Sequence, residues 1–242
     1  MAKLTLYTNH RCPWAHRAHI ALAELGVPFD EVIIDLNRPR DPWYLADINP
    51  RGLVPSLKYV SDTGKEEIVT ESAIVSQFLV DLYGDKTTLE PASNSETGAI
   101  ARARINFFVD TYFSKVQGQI FKLGTAKTAA DEAAVAEAYV AAVAKELEPL
   151  LAASTSKDAP FFGGSKTLTI AEVLTGSFIL RVVHLSKEGV YPTSIATEAA
   201  TKTPAFWAWA QAVAAHPSVN GIYDEAAILE NTKTRLANQR SA

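Results

Sequence analysis

The sequence contains very little cysteine: Cys12 is the one cysteine among 242 residues. A single cysteine cannot form an internal disulfide, and disulfides persist mainly in oxidising compartments. The chain opens with Met1-Ala2-Lys3 and turns directly into a strand-like pattern, without the apolar stretch of a secretory signal. We therefore expect a cytoplasmic protein.

Long apolar segments and blocks of basic residues are also missing. A membrane-spanning helix needs roughly 20 consecutive apolar residues, and the sequence offers none, so we expect no membrane partner. The 23 Lys and Arg residues are outnumbered by 27 Asp and Glu residues, which gives a net charge of −4. Because no run of basic residues is long enough to attract a phosphate backbone, nucleic acid is not expected as a partner.

Apolar residues make up 48% of the chain, enough for a substantial core. Residues 1–84 predict an α/β domain, because short alternating or apolar runs are interleaved with helical periodicity. Strands are expected at 3–8, 29–36 (buried), 56–60 and 66–70, and helices at 13–25, 43–45 (about one turn) and 72–83. The polar segment 85–94, which contains Pro91, is the expected linker.

Residues 95–242 predict an all-α domain. Long helices are expected at 95–123, 130–153, 173–185, 204–216 and 218–229, and the polar last dozen residues are expected to fray. Thr169-Ile170-Ala171-Glu172 matches a capping box, in which a hydroxyl and a carboxylate satisfy backbone donors at a helix start.

Cys12 lies between the first strand and the first helix and is followed by Pro13, which is favoured at the first helical position. The positive end of a helix stabilises a thiolate, and the thiolate is the nucleophile in disulfide exchange. Arg11 and Arg17 add positive charge nearby. A lone cysteine can also be an inert small apolar residue. The position at a strand-to-helix turn, where α/β folds bind ligands, favours the reactive interpretation.

The chain resembles a known family at several motifs. The stretch 11–15 (Arg-Cys-Pro-Trp-Ala), Leu53-Val54-Pro55, and Glu71-Ser72 before a helix together resemble the thioredoxin-like N-terminal domain of cytosolic glutathione transferases of the omega type. The resemblance extends over nearly the whole chain, because that family also carries an all-helical second domain with a capping box. It implies a thioredoxin-like domain at 1–84 and an all-α domain at 95–242 that contributes the second-substrate site.

The resemblance implies that Cys12 is catalytic and forms a mixed disulfide with glutathione, the co-substrate. Ala15 stands where a second cysteine would make a Cys-x-x-Cys pair, so resolution is left to a second glutathione. Val54 would pair through its backbone with the cysteinyl part of glutathione, with Pro55 in the cis form. An ordinary trans proline is the commoner case for an isolated Val-Pro.

Glu71 and Ser72 are implied to bind the γ-glutamyl end, the carboxylate of Glu71 taking the ammonium group and the hydroxyl of Ser72 the carboxylate. The same two residues could instead cap the helix that follows. Arg40 aligns loosely with a basic residue that meets the glycyl carboxylate, and Arg38 is the alternative. Both arginines could also simply be solvated.

Three functions remain open on the sequence. The first is a glutathione-dependent thiol transferase that reduces disulfides or removes glutathione from proteins, with dehydroascorbate reduction as a related activity. Trp14 also occurs in glutathionyl-hydroquinone reductases, which favours as an alternative the cleavage of glutathionyl conjugates of quinones or aromatic ketones. A non-catalytic binding or regulatory module with the same fold is the third. The resemblance implies a homodimer and a small electrophilic, quinone or disulfide substrate.

Other residues are kept out of the predicted site. An aromatic group at helical spacing is interpreted as core rather than pocket: Phe107, Phe108, Tyr112 and Phe113. The histidines around the cysteine motif show no ligand spacing, so no metal is expected: His10, His16 and His19.

Overall fold

The structure is a computed structural model that describes residues 2–84 and 89–241. The chain divides into two compact units between Glu90 and Pro91. This division lies within the predicted linker 85–94, of which residues 85–88 fall outside the described part. The first unit is α/β and the second is helical, which confirms the predicted fold class. No described helix combines the length and apolar composition needed to cross a bilayer.

A mixed four-stranded sheet forms the centre of the first unit, with strand order β2-β1-β3-β4. Strands β1 and β2 are parallel, whereas β3 is antiparallel to both β1 and β4. The elements are β1 (Lys3–Thr8), α1 (Pro13–Leu25), β2 (Asp30–Ile33), α2 (Pro42–Asp47), β3 (Ser56–Val60), β4 (Glu66–Thr70) and α3 (Ser72–Tyr83).

Helix α1 begins and ends where its sequence predicts. Pro13 occupies the first turn, and Gly26 ends the helix in the left-handed conformation at φ 62°. The amide of Gly26 bonds the carbonyl of Ala23, closing the last turn. The helix is buried over 15–22, so it fixes the position of the residues at its N-terminus.

Strand β2 is shorter and more exposed than predicted. The buried strand expected at 29–36 is wrong in both respects, because β2 covers only Asp30–Ile33 and the Ile33 side chain is 56% exposed. The cause is its place at the edge of the sheet, with a single neighbour in β1. Ile34, directly after the strand, supplies the buried apolar side chain.

The second unit consists of helices joined mostly by short turns, with one longer connection, 153–169, between α7 and α8. They are α4 (Glu96–Thr111), α5 (Gln117–Phe121), α6 (Ala129–Glu146), α7 (Glu148–Ala152), α8 (Ile170–Lys187), α9 (Ser194–Lys202), α10 (Pro204–Ala215), α11 (Pro217–Asn220) and α12 (Glu225–Ser241). Phe108 and Tyr112 are fully buried, as expected for core, whereas Phe107 is exposed.

The two long helices predicted at 95–123 and 130–153 are each interrupted. A π-helical turn at Tyr112–Val116 separates α4 from α5. Pro149 stands in the first turn of α7, where its missing amide costs nothing, but it cannot continue α6. The sequence pattern detected the apolar faces and missed these breaks.

The Thr169–Glu172 capping box is present and lies in the core of the second unit. The fully buried carboxylate of Glu172 accepts from the amides of Thr169 and Phe162, both at 2.8 Å. It also accepts from the Thr169 hydroxyl and from Trp209 Nε1, both at 2.7 Å. One carboxylate therefore joins the start of α8 to α10 and to the preceding loop.

The C-terminal region differs from the prediction in two places. The helix expected at 218–229 is broken between α11 and α12, and the residues expected to fray continue α12 to Ser241. Every fourth side chain of α12 is buried at Ile228, Thr232 and Leu236, which anchors a helix that looks polar in sequence. Helix α9 was not predicted at all.

Candidate active site

A cleft of about 400 Å³ opens in the first unit. All six residues singled out from the sequence line it: Cys12, Arg40, Val54, Pro55, Glu71 and Ser72. The wall is completed by Trp14, Arg17, Leu36, Asn49, Gly52, Leu53 and Ala73. The fold thus brings together residues that lie as far apart in sequence as Cys12 and Ser72.

Cys12 is the residue that caps the N-terminus of α1, with φ −81° and ψ 118°. Its side chain is partly exposed and makes no cap hydrogen bond, so the thiol is accessible from the cleft that it lines. The buried side chain of Asn9 orders the preceding loop by donating to the Ile34 carbonyl at 2.9 Å and accepting from the Arg11 amide at 3.0 Å.

The apolar side of Cys12 packs against a small buried cluster formed by Tyr7, Ala15, Ile34, Tyr44 and Val54. Tyr44 donates its hydroxyl to the Leu53 carbonyl at 2.6 Å, and Asn49 donates to the same carbonyl at 3.1 Å. Burial raises the pKa of Tyr44, so the phenol stays a donor. These two side chains hold the segment that leads into Val54.

The peptide bond between Val54 and Pro55 is cis, which confirms that prediction. Val54 is buried and lies two residues before the start of β3. Within residues 2–84 and 89–241, the amide and carbonyl of Val54 have no hydrogen-bond partner. Val54 therefore presents a donor and an acceptor at the cleft, as an unpaired strand edge does.

Ser72 does not cap helix α3. The cap residue is Glu71, whose positive φ of 69° is rare outside glycine, and its side chain makes no cap bond. The hydroxyl of Ser72 instead accepts a hydrogen bond from Arg17 Nη1 at 2.9 Å. The capping interpretation of this pair is wrong, because Ser72 already lies inside the first turn.

Arg17 is a cleft residue whose position the sequence did not reveal. Its side chain is buried on α1, and its guanidinium lies 4.6 Å from the ring centroid of Trp14. Sequence reasoning gave Arg17 only a general charge effect on Cys12. Pro13 and Arg17 are four residues apart, and this i, i+4 spacing on α1 could have suggested that Arg17 shares the face of the reactive helix end.

Glu71 forms an exposed ion pair. Arg51 Nη1 donates to Glu71 Oε1 at 2.7 Å, with the two side chains 71% and 47% exposed. Such a pair contributes little to stability because both groups remain hydrated. The carboxylate of Glu71 therefore remains available to a second cation in the cleft.

Arg40 is held by backbone carbonyls. Nε donates to Gly52 at 2.9 Å, and Nη1 donates to Asp35 and to Arg38, both at 2.7 Å. Gly52 has φ 67°, and a Cβ there would approach Arg40 Cγ to 3.0 Å. Arg40 thus closes the loop around the cleft, and within the described residues its Nη2 has no partner. Arg38, the alternative, pairs with Asp41 and is absent from the cleft wall.

The chain is similar to known glutathione transferases. A family model described as the N-terminal domain of glutathione S-transferase matches residues 11–82. Rat glutathione S-transferase omega-1 is 28% identical over 183 residues, which are 76% of this chain and 68% of the rat protein. Glutathione transferase Omega 2C from Trametes versicolor is 26% identical, with a TM-score of 0.78 over 98% of this chain and 100% of the other.

Residues 11–82 match the glutathione S-transferase N-terminal domain, and the chain as a whole is similar to omega-class glutathione transferases. Another curated relative, the pyrimidodiazepine synthase of Drosophila melanogaster, is 34% identical over 80 residues. That alignment covers 33% of this chain and only 32% of the Drosophila protein, so it is limited to part of each. The roles of the cleft residues toward a ligand are predictions.

Proposed function

We propose that this protein is a glutathione-dependent thiol transferase that works through a mixed disulfide between Cys12 and glutathione. The observation that carries the proposal is the position of Cys12 at the N-terminus of α1, in the wall of a cleft shared with the N-terminus of α3. A helix N-terminus stabilises a thiolate, and a partly exposed thiolate is the species that attacks disulfides.

The proposed reaction has two exchange steps. The Cys12 thiolate attacks the glutathione sulfur of a substrate mixed disulfide, forming a Cys12–glutathione disulfide and releasing the substrate thiolate. A second glutathione thiolate then attacks the glutathione sulfur of that adduct, giving oxidised glutathione and the Cys12 thiolate. The external thiol is needed because the chain has no second cysteine.

The γ-glutamyl carboxylate of glutathione would lie at the start of α3. The first intrahelical bond there runs from Val75 N to Glu71 O, so the earlier amides of Ser72 and Ala73 are available to an anion. The Ser72 hydroxyl is oriented by Arg17, which adds a positive charge. The Glu71 carboxylate would accept from the γ-glutamyl ammonium in place of, or together with, Arg51.

The rest of glutathione would follow the cleft wall. The free amide and carbonyl of Val54 suit the cysteinyl unit, which would pair with them like an added strand before Pro55. Arg40 Nη2 would donate to the glycyl carboxylate while Nε and Nη1 keep the loop closed. The family model and the omega-class relative support glutathione as the ligand.

The second candidate is cleavage of glutathionyl conjugates of quinones or aromatic ketones. It is favoured by Trp14, whose ring lines the cleft two residues from the thiol and is 38% exposed. An exposed indole offers a stacking surface to an aromatic group. Comparing turnover of a phenacyl-glutathione with turnover of a glutathione mixed disulfide separates the two candidates.

Incubation with oxidised glutathione tests the mechanism. We expect one glutathione adduct per chain by intact-mass spectrometry. Because Cys12 is the one cysteine, the mass shift alone assigns the adduct to Cys12. Cys12→Ser should abolish both the adduct and thiol transfer, and could raise conjugation of electrophiles, which competes with disulfide exchange. An unmodified Cys12, or unchanged thiol transfer in Cys12→Ser, contradicts the mechanism.

A non-catalytic binding or regulatory module is the alternative of another class. It predicts stable folding with no thiol transfer, and failure to be retained on immobilised glutathione would favour it. A cysteine at the helix cap beside an unpaired Val54 backbone favours a functional ligand-binding site over a non-catalytic module. A cytoplasmic location belongs to the same proposal, since a mechanism that consumes reduced glutathione requires a reducing compartment.

We also propose that the protein is a homodimer, as the family resemblance implies. Helices in both units leave large apolar side chains exposed, at Ile74 and Leu82 on α3 and at Ile100 and Phe107 on α4. Such residues are commonly covered by another subunit.

A further inference from the structure

Three potential metal ligands converge outside the cleft lining. His10 lies on the loop after β1, His19 on α1 and Glu31 on β2. Glu31 Oε1 is 2.7 Å from His10 Nε2 and 3.3 Å from His19 Nε2. The three donor atoms all lie within 4.8 Å of one another.

These distances are close to those of a coordinated ion. Zinc binds imidazole nitrogen and carboxylate oxygen at about 2.1 Å, so two ligands of a tetrahedral site are about 3.4 Å apart. Glu31 and His19 already have this spacing. His10 has a side chain 43% exposed, so it can adjust its rotamer at little cost.

His19, the buried member of the cluster, is fixed in position by its neighbours. His19 is 5% exposed and packs edge-on against the ring of Phe29, with centroids 5.8 Å apart. The ring of His19 also packs edge-on against the ring of His10, with centroids 5.1 Å apart. Its Nε2 lies 2.9 Å from Thr8 Oγ1, a hydroxyl that can rotate when a metal takes the nitrogen lone pair.

We propose that His10, His19 and Glu31 bind a divalent transition-metal ion of the Zn²⁺ type, with water completing a four-coordinate site. Two imidazoles and one carboxylate are a ligand set that suits zinc and its neighbours and leaves Ca²⁺ and Mg²⁺, which prefer oxygen, unfavoured. The sequence did not suggest this site, because the nine-residue separation of the two histidines is no ligand spacing and Glu31 joins them only through the β1–β2 pairing.

Zinc titration by calorimetry, with the metal alone as the probe, tests the site. We expect one equivalent of Zn²⁺ per chain in wild type and in Cys12→Ser, because the thiol is not a ligand. His10→Ala and Glu31→Gln should each weaken binding at least about 10-fold. Both positions are partly exposed, so the variants should melt within a few degrees of wild type. Glu67→Gln, an exposed carboxylate on the opposite edge strand β4, is the matched control and should bind as wild type does.

Cobalt provides an independent readout. Co²⁺ bound by two imidazoles and a carboxylate gives visible d–d bands without the sulfur-to-metal charge-transfer band of a thiolate ligand. Absence of saturable binding, equal affinity in wild type and both ligand variants, or binding that disappears in Cys12→Ser would each overturn the assignment. None of these outcomes depends on thiol transfer, so the site and the proposed function stand or fall separately.

Discussion

At the scale of single residues, Arg17 connects two walls of the cleft. Its guanidinium donates to Ser72 on α3 while its own backbone belongs to α1, the helix that Cys12 caps. The side chain is 4% exposed, so its charge is only weakly screened by solvent. We infer that Arg17 is a positioning residue, since it acts on the ligand through the Ser72 hydroxyl.

Arg17→Lys should weaken glutathione binding by about 10-fold or more, because an ammonium group keeps the charge but not the planar donors that hold Ser72. Binding is measured by calorimetry on the Cys12→Ser background, which prevents adduct formation. Arg104→Lys, the same change at an exposed position on α4, is the control and should bind normally. A lower melting temperature with unchanged affinity in Arg17→Lys would show a purely structural role.

Individual site residues were predictable to different extents. Cys12 before Pro13 is a local signal, and the structure has the helix cap that it suggested. The cis bond between Val54 and Pro55 was implied by the family resemblance alone and is also present. Ser72 was chosen correctly as a cleft residue, but its hydrogen bond to Arg17 joins residues 55 positions apart, which no local pattern encodes. The carbonyl contacts of Arg40 depend likewise on how its loop closes.

At the scale of elements, two capping boxes differ in their surroundings. Thr169 and Glu172 start α8 in the core, whereas Thr128 and Asp131 start α6 at the surface. In both, the acidic side chain bonds the cap amide, at 2.8 Å. Of the two acids, Glu172 alone also accepts hydrogen bonds from residues distant in sequence, Phe162 and Trp209.

Glu172→Gln should lower the free energy of unfolding by about 2–4 kcal/mol, because the amide NH2 group would face donors that the fully buried carboxylate now accepts from. Thermal or urea unfolding measures the loss. Asp131→Asn is the matched control and should cost less, since solvent replaces the lost acceptor. Equal losses in the two variants would mean that the contacts of Glu172 to Phe162 and Trp209 add nothing.

Most element positions followed from periodicity and caps, and the errors have a common cause. The bounds of β1, α1, β3, β4 and α3 agree with the sequence pattern because each carries its own start or stop signal. Strand β2 was overextended because burial depends on its place in the sheet. The continuation of α12 beyond Leu229 was missed because its buried stripe is one residue wide, and only tertiary packing makes that sufficient.

At the scale of the whole molecule, the exposed apolar stripes on α3 and α4 predict self-association. Sedimentation velocity should give twice the mass of one chain for wild type. Ile74→Glu or Phe107→Glu should shift the protein toward one chain, because a charge at a subunit interface is costly to desolvate. Ile33→Glu, at an equally exposed apolar residue on β2, should leave the mass unchanged. A wild-type mass of one chain would contradict the homodimer.

The order of the sheet has a consequence for solubility. Both outer strands begin with adjacent exposed carboxylates, Asp30 and Glu31 on β2 and Glu66 and Glu67 on β4. Unpaired strand edges are templates on which other chains can add, and like charges placed there repel an incoming copy. These four acids therefore oppose edge-to-edge aggregation. A cation bound to Glu31 would neutralise part of this charge and weaken the repulsion at the edge of β2.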